Sequence, residues 1–128
     1  MKRQAISSDS APLAIGPYSQ AILSEGLLFT SGQIPLDPAK GKVVEGGIEE
    51  QSHQVMKNLG AILEAAGLAY GDLLKCTVFL SDMKNFQTFN EVYACYFEGG
   101  GPAPARSTVE VSALPLGVLI EIEAIARA

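Results

Sequence analysis

Arg106 lies in Pro104-Ala105-Arg106-Ser107-Thr108, just after a Gly/Pro-rich segment and at the entry to an extended run. From that position a rigid scaffold can aim a guanidinium, whose planar fork suits a carboxylate or phosphate better than a lysine ammonium does. Glu121 and Glu123, two apart on an expected strand, share a face on which one carboxylate could hold or activate a water near Arg106. Thr30-Ser31-Gly32-Gln33 offers a hydroxyl and an exposed backbone amide at a strand end, and Tyr18, after Gly16-Pro17, offers an apolar ring with a polar tip. Singly, each has a plainer reading: a surface or salt-bridged Arg106, a simple turn, a surface-packed Tyr18, and a solvated or interface ion-pair face for the glutamates.

Other chemistries lack their parts. The only histidine, His53, sits between Ser52 and Gln54 and reads as a solvated surface residue; neither a zinc site nor a serine triad can be built on it. Ser7, Ser8, Ser10 and Ser31 therefore have no base. Cys76 and Cys95 form no CxxC and read as reduced thiols in buried segments, with no metal site. Gly99-Gly100-Gly101-Pro102 opens no helix and lacks the Lys-Ser/Thr of a phosphate loop.

The 9 Lys and Arg against 14 Asp and Glu give a net charge of -5, the wrong sign for an unaided nucleic-acid binder. No apolar run approaches the ~20 residues of a membrane span, and the opening MKRQAISSDS lacks the apolar core of a secretory signal, so a cytoplasmic location is the default. With 128 residues, 48% of them hydrophobic, residues 1–128 are expected to form a single domain with one core.

The elements that must carry these residues follow from patterning. Gln20 to Ser24 and Leu27 to Ser31 flank Glu25-Gly26 as a β-hairpin, and the Gly/Pro-rich stretch from Gly32 to Gly47 reads as a loop with a short extended piece at Lys42 to Glu45. Ile48, Ser52, Val55, Met56, Leu59, Ile62, Leu63 and Ala66 form a helical stripe, with Glu49, Glu50, Gln54, Lys57, Asn58 and Glu64 opposite, ending near Gly67. Leu73 to Leu80 reads as a central strand. A second helix, capped by Asp82 or Asn85, presents Phe86, Phe89, Tyr93 and Phe97 as core and stops at the glycine run. Arg106 to Ser112 and Val118 to Ala126 read as two more strands joined by a turn at Leu114 to Gly117, a second hairpin. The order β-β-α-β-α-β-β predicts an α+β fold, a mixed β-sheet with two helices packed on one face. The other face, part apolar and part carboxylate, predicts self-association.

Four segments together carry a resemblance: Ala14-Ile15-Gly16-Pro17-Tyr18-Ser19-Gln20, Phe29-Thr30-Ser31-Gly32-Gln33-Ile34-Pro35, Pro104 to Val111, and Ile120-Glu121-Ile122-Glu123-Ala124-Ile125-Ala126. In order and over nearly the whole chain, they strongly resemble the RidA family, also called YjgF. The resemblance implies a chorismate-mutase-like fold, a homotrimer with inter-subunit clefts, and a cofactor-independent 2-iminobutanoate/2-iminopropanoate deaminase. Such an enzyme hydrolyses 2-aminoacrylate and related imino acids to keto acids and ammonia.

By the same resemblance, Arg106 binds the substrate carboxylate, Ser31 and Gly32 line the site, Tyr18 lies near the substrate, and Glu121 attends the hydrolytic water. Asn90 matches a recurrent polar position. Thr108 stands where deaminase-active members often carry cysteine, so no thiol is essential here; its hydroxyl can replace a weak thiol hydrogen bond. The chemistry requires neither metal nor cofactor. A non-catalytic ligand-binding or regulatory trimer is the main alternative; a ribonuclease is disfavoured by the net charge, and a chaperone-like role rests only on exposed apolar surface.

Overall fold

Two periodicities, alternation in the strands and a 3.6-residue stripe in the helices, meet in one core. The computed structural model describes residues 2–128. Its strands are β1 (Gln4–Ile6), β2 (Ala21–Ser24), β3 (Leu27–Thr30), β4 (Leu36–Asp37), β5 (Lys42–Val43), β6 (Leu73–Leu80), β7 (Ala105–Glu110) and β8 (Ile120–Arg127). The helices are α1 (Ile48–Ala65) and α2 (Phe86–Ala94). Six strands form one mixed sheet in the order β1-β2-β3-β8-β6-β7, in which only β6 and β7 run parallel; β4 and β5 form a separate ribbon.

Alternate residues of β8, Ile120, Ile122, Ala124 and Ala126, are buried with Cys76, Val78 and Leu80 of β6. Against them pack Val55, Met56, Leu59, Ile62 and Leu63 of α1 and Phe89 and Tyr93 of α2, so both helices cover the same sheet face. The opposite face leaves Phe29 and Val109 exposed, with Phe79 and Ile125 half-buried.

The expected β2–β3 hairpin forms, and Glu25 and Gly26 turn with φ of 51° and 80°, the two positive values of a type I′ turn. Glu50 reaches back from the first turn of α1 to accept from the Gly47 N–H at 2.8 Å, and backbone hydrogen bonding there holds its carboxyl below the usual range. Gly67 closes the helix at φ 76°, with the Leu68 N–H donating to the Leu63 carbonyl. Asp82 caps a 3₁₀ turn at Met83–Asn85, and α2 continues from it.

Several expectations are corrected. β7 and β8 do not form a hairpin: β6 lies between them, parallel to β7 and antiparallel to β8. Burial explains the order, since β8 has an inner face fully covered by helix and takes a central place, whereas both faces of β7 are partly open and it takes the edge. The polar N-terminus supplies the edge strand β1, held to β2 by three residue pairs. Cys95 is exposed, because it continues the outer stripe of α2 one turn after exposed Glu91, to whose carbonyl its thiol donates. His53 is half-buried and its Nδ1 lies 2.8 Å from the Tyr96 hydroxyl, linking α1 to the end of α2. Asn58 is fully buried, because it completes an i, i+3, i+4, i+7 stripe with Val55, Leu59 and Ile62.

Candidate functional site

The interruption between β3 and β8 builds the first half of the candidate site. Their ladder stops at Phe29↔Ile125 and resumes with the bridge Gln33↔Ile122, so Thr30, Ser31 and Gly32 span the distance covered by Glu123 and Ala124 on the partner strand. The Thr30 hydroxyl fills the gap by accepting from the Ala124 N–H at 3.0 Å. Such a bulge re-aims neighbouring side chains, and here it lays Gly32 against the Glu121 carboxylate. A methyl group at position 32 would overlap that carboxylate and come within 2.9 Å of its Cδ. Gly32 is required for this approach.

Glu121 lies in a cleft of about 740 Å³ whose walls include Leu13, Ile15, Tyr18, Ile34 and Leu116. Partial burial raises its pKa from the ordinary carboxylate value, and neighbouring Glu123 adds to the shift. Ser31 lines the same cleft, but its hydroxyl donates to the Ser19 carbonyl at 2.6 Å. That bond fastens the Tyr18 segment to the end of β3. Tyr18 itself is half-exposed on the rim, after a tight turn in which its N–H donates to the Gly16 carbonyl.

Arg106 belongs to the second half. In register it lies beside Cys76, which lies beside Ala124, on the helix-covered face; Glu121 lies opposite Phe79, on the other face. Within one chain the two residues point to opposite sides of the sheet. The Arg106 Cζ sits over the rings of Tyr93, Phe89 and Phe86, at 4.9, 5.3 and 5.6 Å from their centroids. Thr108 follows on the same side of β7, and its buried hydroxyl has no hydrogen-bond partner. Asn90 is half-buried on α2, one turn after Phe86 and on the face that meets Arg106.

The structure thus brings Tyr18, Ser31, Gly32 and Glu121 together in the cleft, and Arg106, Thr108 and Asn90 together beside β7. It does not join the two groups within one chain. Among the described residues, no group of three or more His, Cys, Asp or Glu could hold a metal ion. No described helix is long and apolar enough to cross a membrane.

Three buried amides shape the cleft: Gln20, which ends the first of the four resemblance segments, and Gln51 and Asn58 of α1. Gln20 accepts from the Ser8 N–H at 2.6 Å and donates to the Pro12 carbonyl at 2.7 Å, holding the segment that supplies Leu13 and Ile15. Asn58 donates to the carbonyls of Ile34 and Leu36, at 3.1 and 3.0 Å. Gln51 accepts from the Leu119 N–H at 2.8 Å, just before Glu121. Asn58 and Gln51 could both have been found from their places on the apolar stripe of α1, Gln51 lying three residues after Ile48 and four before Val55; Gln20, outside any helix, carries no such signal.

Comparison with known proteins agrees with this architecture. The family described as Endoribonuclease L-PSP matches residues 8–128. A RutC family protein of Pyrococcus horikoshii is 55% identical over 124 residues, covering 97% of each chain. The Mus musculus 2-iminobutanoate/2-iminopropanoate deaminase is 50% identical over 124 residues, covering 97% of this chain and 90% of its own. A crystal structure of Escherichia coli TdcF with bound serine superimposes with a TM-score of 0.93 at 44% identity, covering 98% of both chains.

Proposed function

The chain belongs to the Endoribonuclease L-PSP family, the RidA or YjgF group, and from that premise we propose that it is an enamine/imine deaminase. Its substrates are 2-aminoacrylate and related 2-imino acids, and its products are 2-keto acids and ammonia. The name of the mouse relative supports the activity. The observation that carries the reading to this chain's own residues is the seating of Arg106: its guanidinium rests on ring faces, which leave its N–H donors available to a substrate carboxylate.

In the proposed mechanism Arg106 holds the carboxylate, with Thr108 beside it on β7, and an enamine substrate first takes a proton at its β-carbon to become the iminium, the protonated form of the imine. Glu121 accepts a proton as water adds to the imine carbon, which forms a C–O bond and turns the C=N bond into a C–N bond. Glu121 returns that proton to nitrogen, and as the C–N bond breaks to release ammonia the hydroxyl proton of the carbinolamine passes back to the Glu121 carboxylate, leaving the carbonyl of the keto acid. Holding the imine beside the water makes the addition effectively intramolecular. A carboxyl whose pKa is raised by partial burial suits both proton transfers. The sequence of additions and eliminations balances without metal or cofactor.

Since Arg106 and Glu121 face opposite sides of one sheet, the proposed site is completed by a second copy, in a homotrimer with clefts between subunits. The partly apolar open face, with Phe29 and Val109 exposed, supplies a surface for that association.

The test generates imino acids in situ from several amino acids and follows keto-acid release, comparing wild type with Arg106→Ala at equal oligomeric mass. Acceleration by wild type and its loss in the variant are expected. No acceleration of any imine by wild type would overturn the deaminase reading. The second reading, a ligand-binding or regulatory trimer using the same carboxylate pocket, is favoured by one observation, the serine bound to Escherichia coli TdcF. A ribonuclease role, the activity for which the family is named, meets a net charge of -5.

A further inference from the structure

We propose that the aromatic face of α2 is the positioning device for Arg106 and that the Tyr93 ring is its central element. This rests on the reading of Arg106 as the carboxylate-binding residue. β7 is an edge strand paired only with β6, so the sheet supports the Arg106 backbone from one side and leaves its long side chain to be fixed by something else. A carboxylate partner would fix it but would also occupy the donors that a ligand carboxylate needs. Ring faces attract the cation without accepting its in-plane N–H bonds, so they orient the guanidinium and keep its fork open.

Tyr93 offers the nearest of the three rings to the Arg106 Cζ, at 4.9 Å. It is itself held between Phe89 and Phe97, with ring centroids 5.3 and 4.7 Å away. Its hydroxyl is buried against the Cys76 thiol, a weak hydrogen-bonding group, so the ring face is the main thing Tyr93 contributes to Arg106. Burial also pushes the Cys76 thiol up, which keeps it neutral and leaves no anion beneath Arg106 to compete with a ligand.

The test compares Tyr93→Leu with the conservative Tyr93→Phe. Three quantities are read: pyruvate affinity by calorimetry, KM and kcat for alanine-derived imine, and the ring-current shift of the Arg106 Nε–H resonance. Tyr93→Leu is expected to weaken pyruvate binding and raise KM by about tenfold, to change kcat less, and to lose most of the ring-current shift. Tyr93→Phe is expected to restore all three. Wild-type pyruvate affinity in a folded Tyr93→Leu of unchanged oligomeric mass would overturn the proposal, as would a Tyr93→Phe as damaged as Tyr93→Leu. Should Tyr93→Leu fail to fold, Phe86→Leu, at the half-buried start of α2, makes the same comparison with a smaller expected loss. A wild type that binds pyruvate but accelerates no imine removes the deaminase reading while the affinity comparison still decides the platform. Where wild type binds no pyruvate, the Nε–H shift decides: loss in Tyr93→Leu with retention in Tyr93→Phe supports the platform, and any other pattern overturns it.

Discussion

The Arg106 side of the sheet and the Glu121 side hold their charged groups by opposite means. Arg106 is carried by side chains, three ring faces presented by one helix, and its charge is permanent. Glu121 is carried by backbone, a bulge that brings Gly32 against its carboxyl, and its charge titrates at an elevated pKa. A group needed only to bind is best held by polarizable surfaces that leave its donors free. A group needed to gain and lose a proton is best set in a partly desolvated niche whose shape is fixed by main chain.

The contrast breaks most sharply at Glu121. Glu121→Gln is expected to lower kcat for imine hydrolysis by about 10² or more while changing keto-acid affinity far less, as measured by steady-state kinetics and calorimetry. Wild-type activity should rise with pH through the elevated pKa of Glu121, because water addition needs the ionised form, and that limb should disappear in Glu121→Gln. Arg106→Lys keeps the charge and loses the fork, so KM is expected to rise by about ten- to thirtyfold with a smaller change in kcat. Gly32→Ala forces the Glu121 carboxylate from its place and is expected to lower kcat by about tenfold, with pyruvate affinity as the control.

Smaller effects sharpen the comparison through stability. Asn58→Ala removes the side-chain donor to the carbonyls of Ile34, which keeps its bond from the Leu36 N–H, and Leu36 under the cleft wall, and is expected to cost about 1–3 kcal/mol in urea unfolding. The smallest effect concerns the carboxyl itself. A folded pKa raised above the ordinary value of 4.5 means that the folded state holds the proton more tightly. Wild-type stability should therefore decline as pH rises from about that value through the raised pKa. Relative to wild type, Glu121→Gln should gain Tm across that window and show no such gain below it.

Much of the fold was legible because its elements have strong periods. The stripe from Ile48 to Ala66, the alternation of β8 and the Glu25-Gly26 turn each specify local geometry. The C-terminal hairpin misled because a short turn at Leu114 to Gly117 suggests that its flanking strands pair. Instead, tertiary burial inserted β6 between them, an outcome decided by which strands the helices cover. The short strand β1 has no period long enough to detect. For the site, residue chemistry pointed to Arg106 and Glu121, yet sequence spacing contains no information on which side of the sheet each one faces. The buried amides were hidden for a related reason: Gln20, Gln51 and Asn58 serve distant backbone groups, and side-chain polarity suggests solvent before it suggests a clamp.

The edge position of β7 has a consequence for its amide protons. Alternate N–H groups of Ala105–Glu110 point toward β6, and those between them point away from the sheet. In a lone chain the outward set exchanges with solvent on the timescale of an unprotected loop, while the inward set waits for β6 and β7 to separate. Arg106 therefore rides on the strand whose protection pattern most directly reports a neighbour: slow exchange of the outward amides would mark the seating of another subunit along that edge.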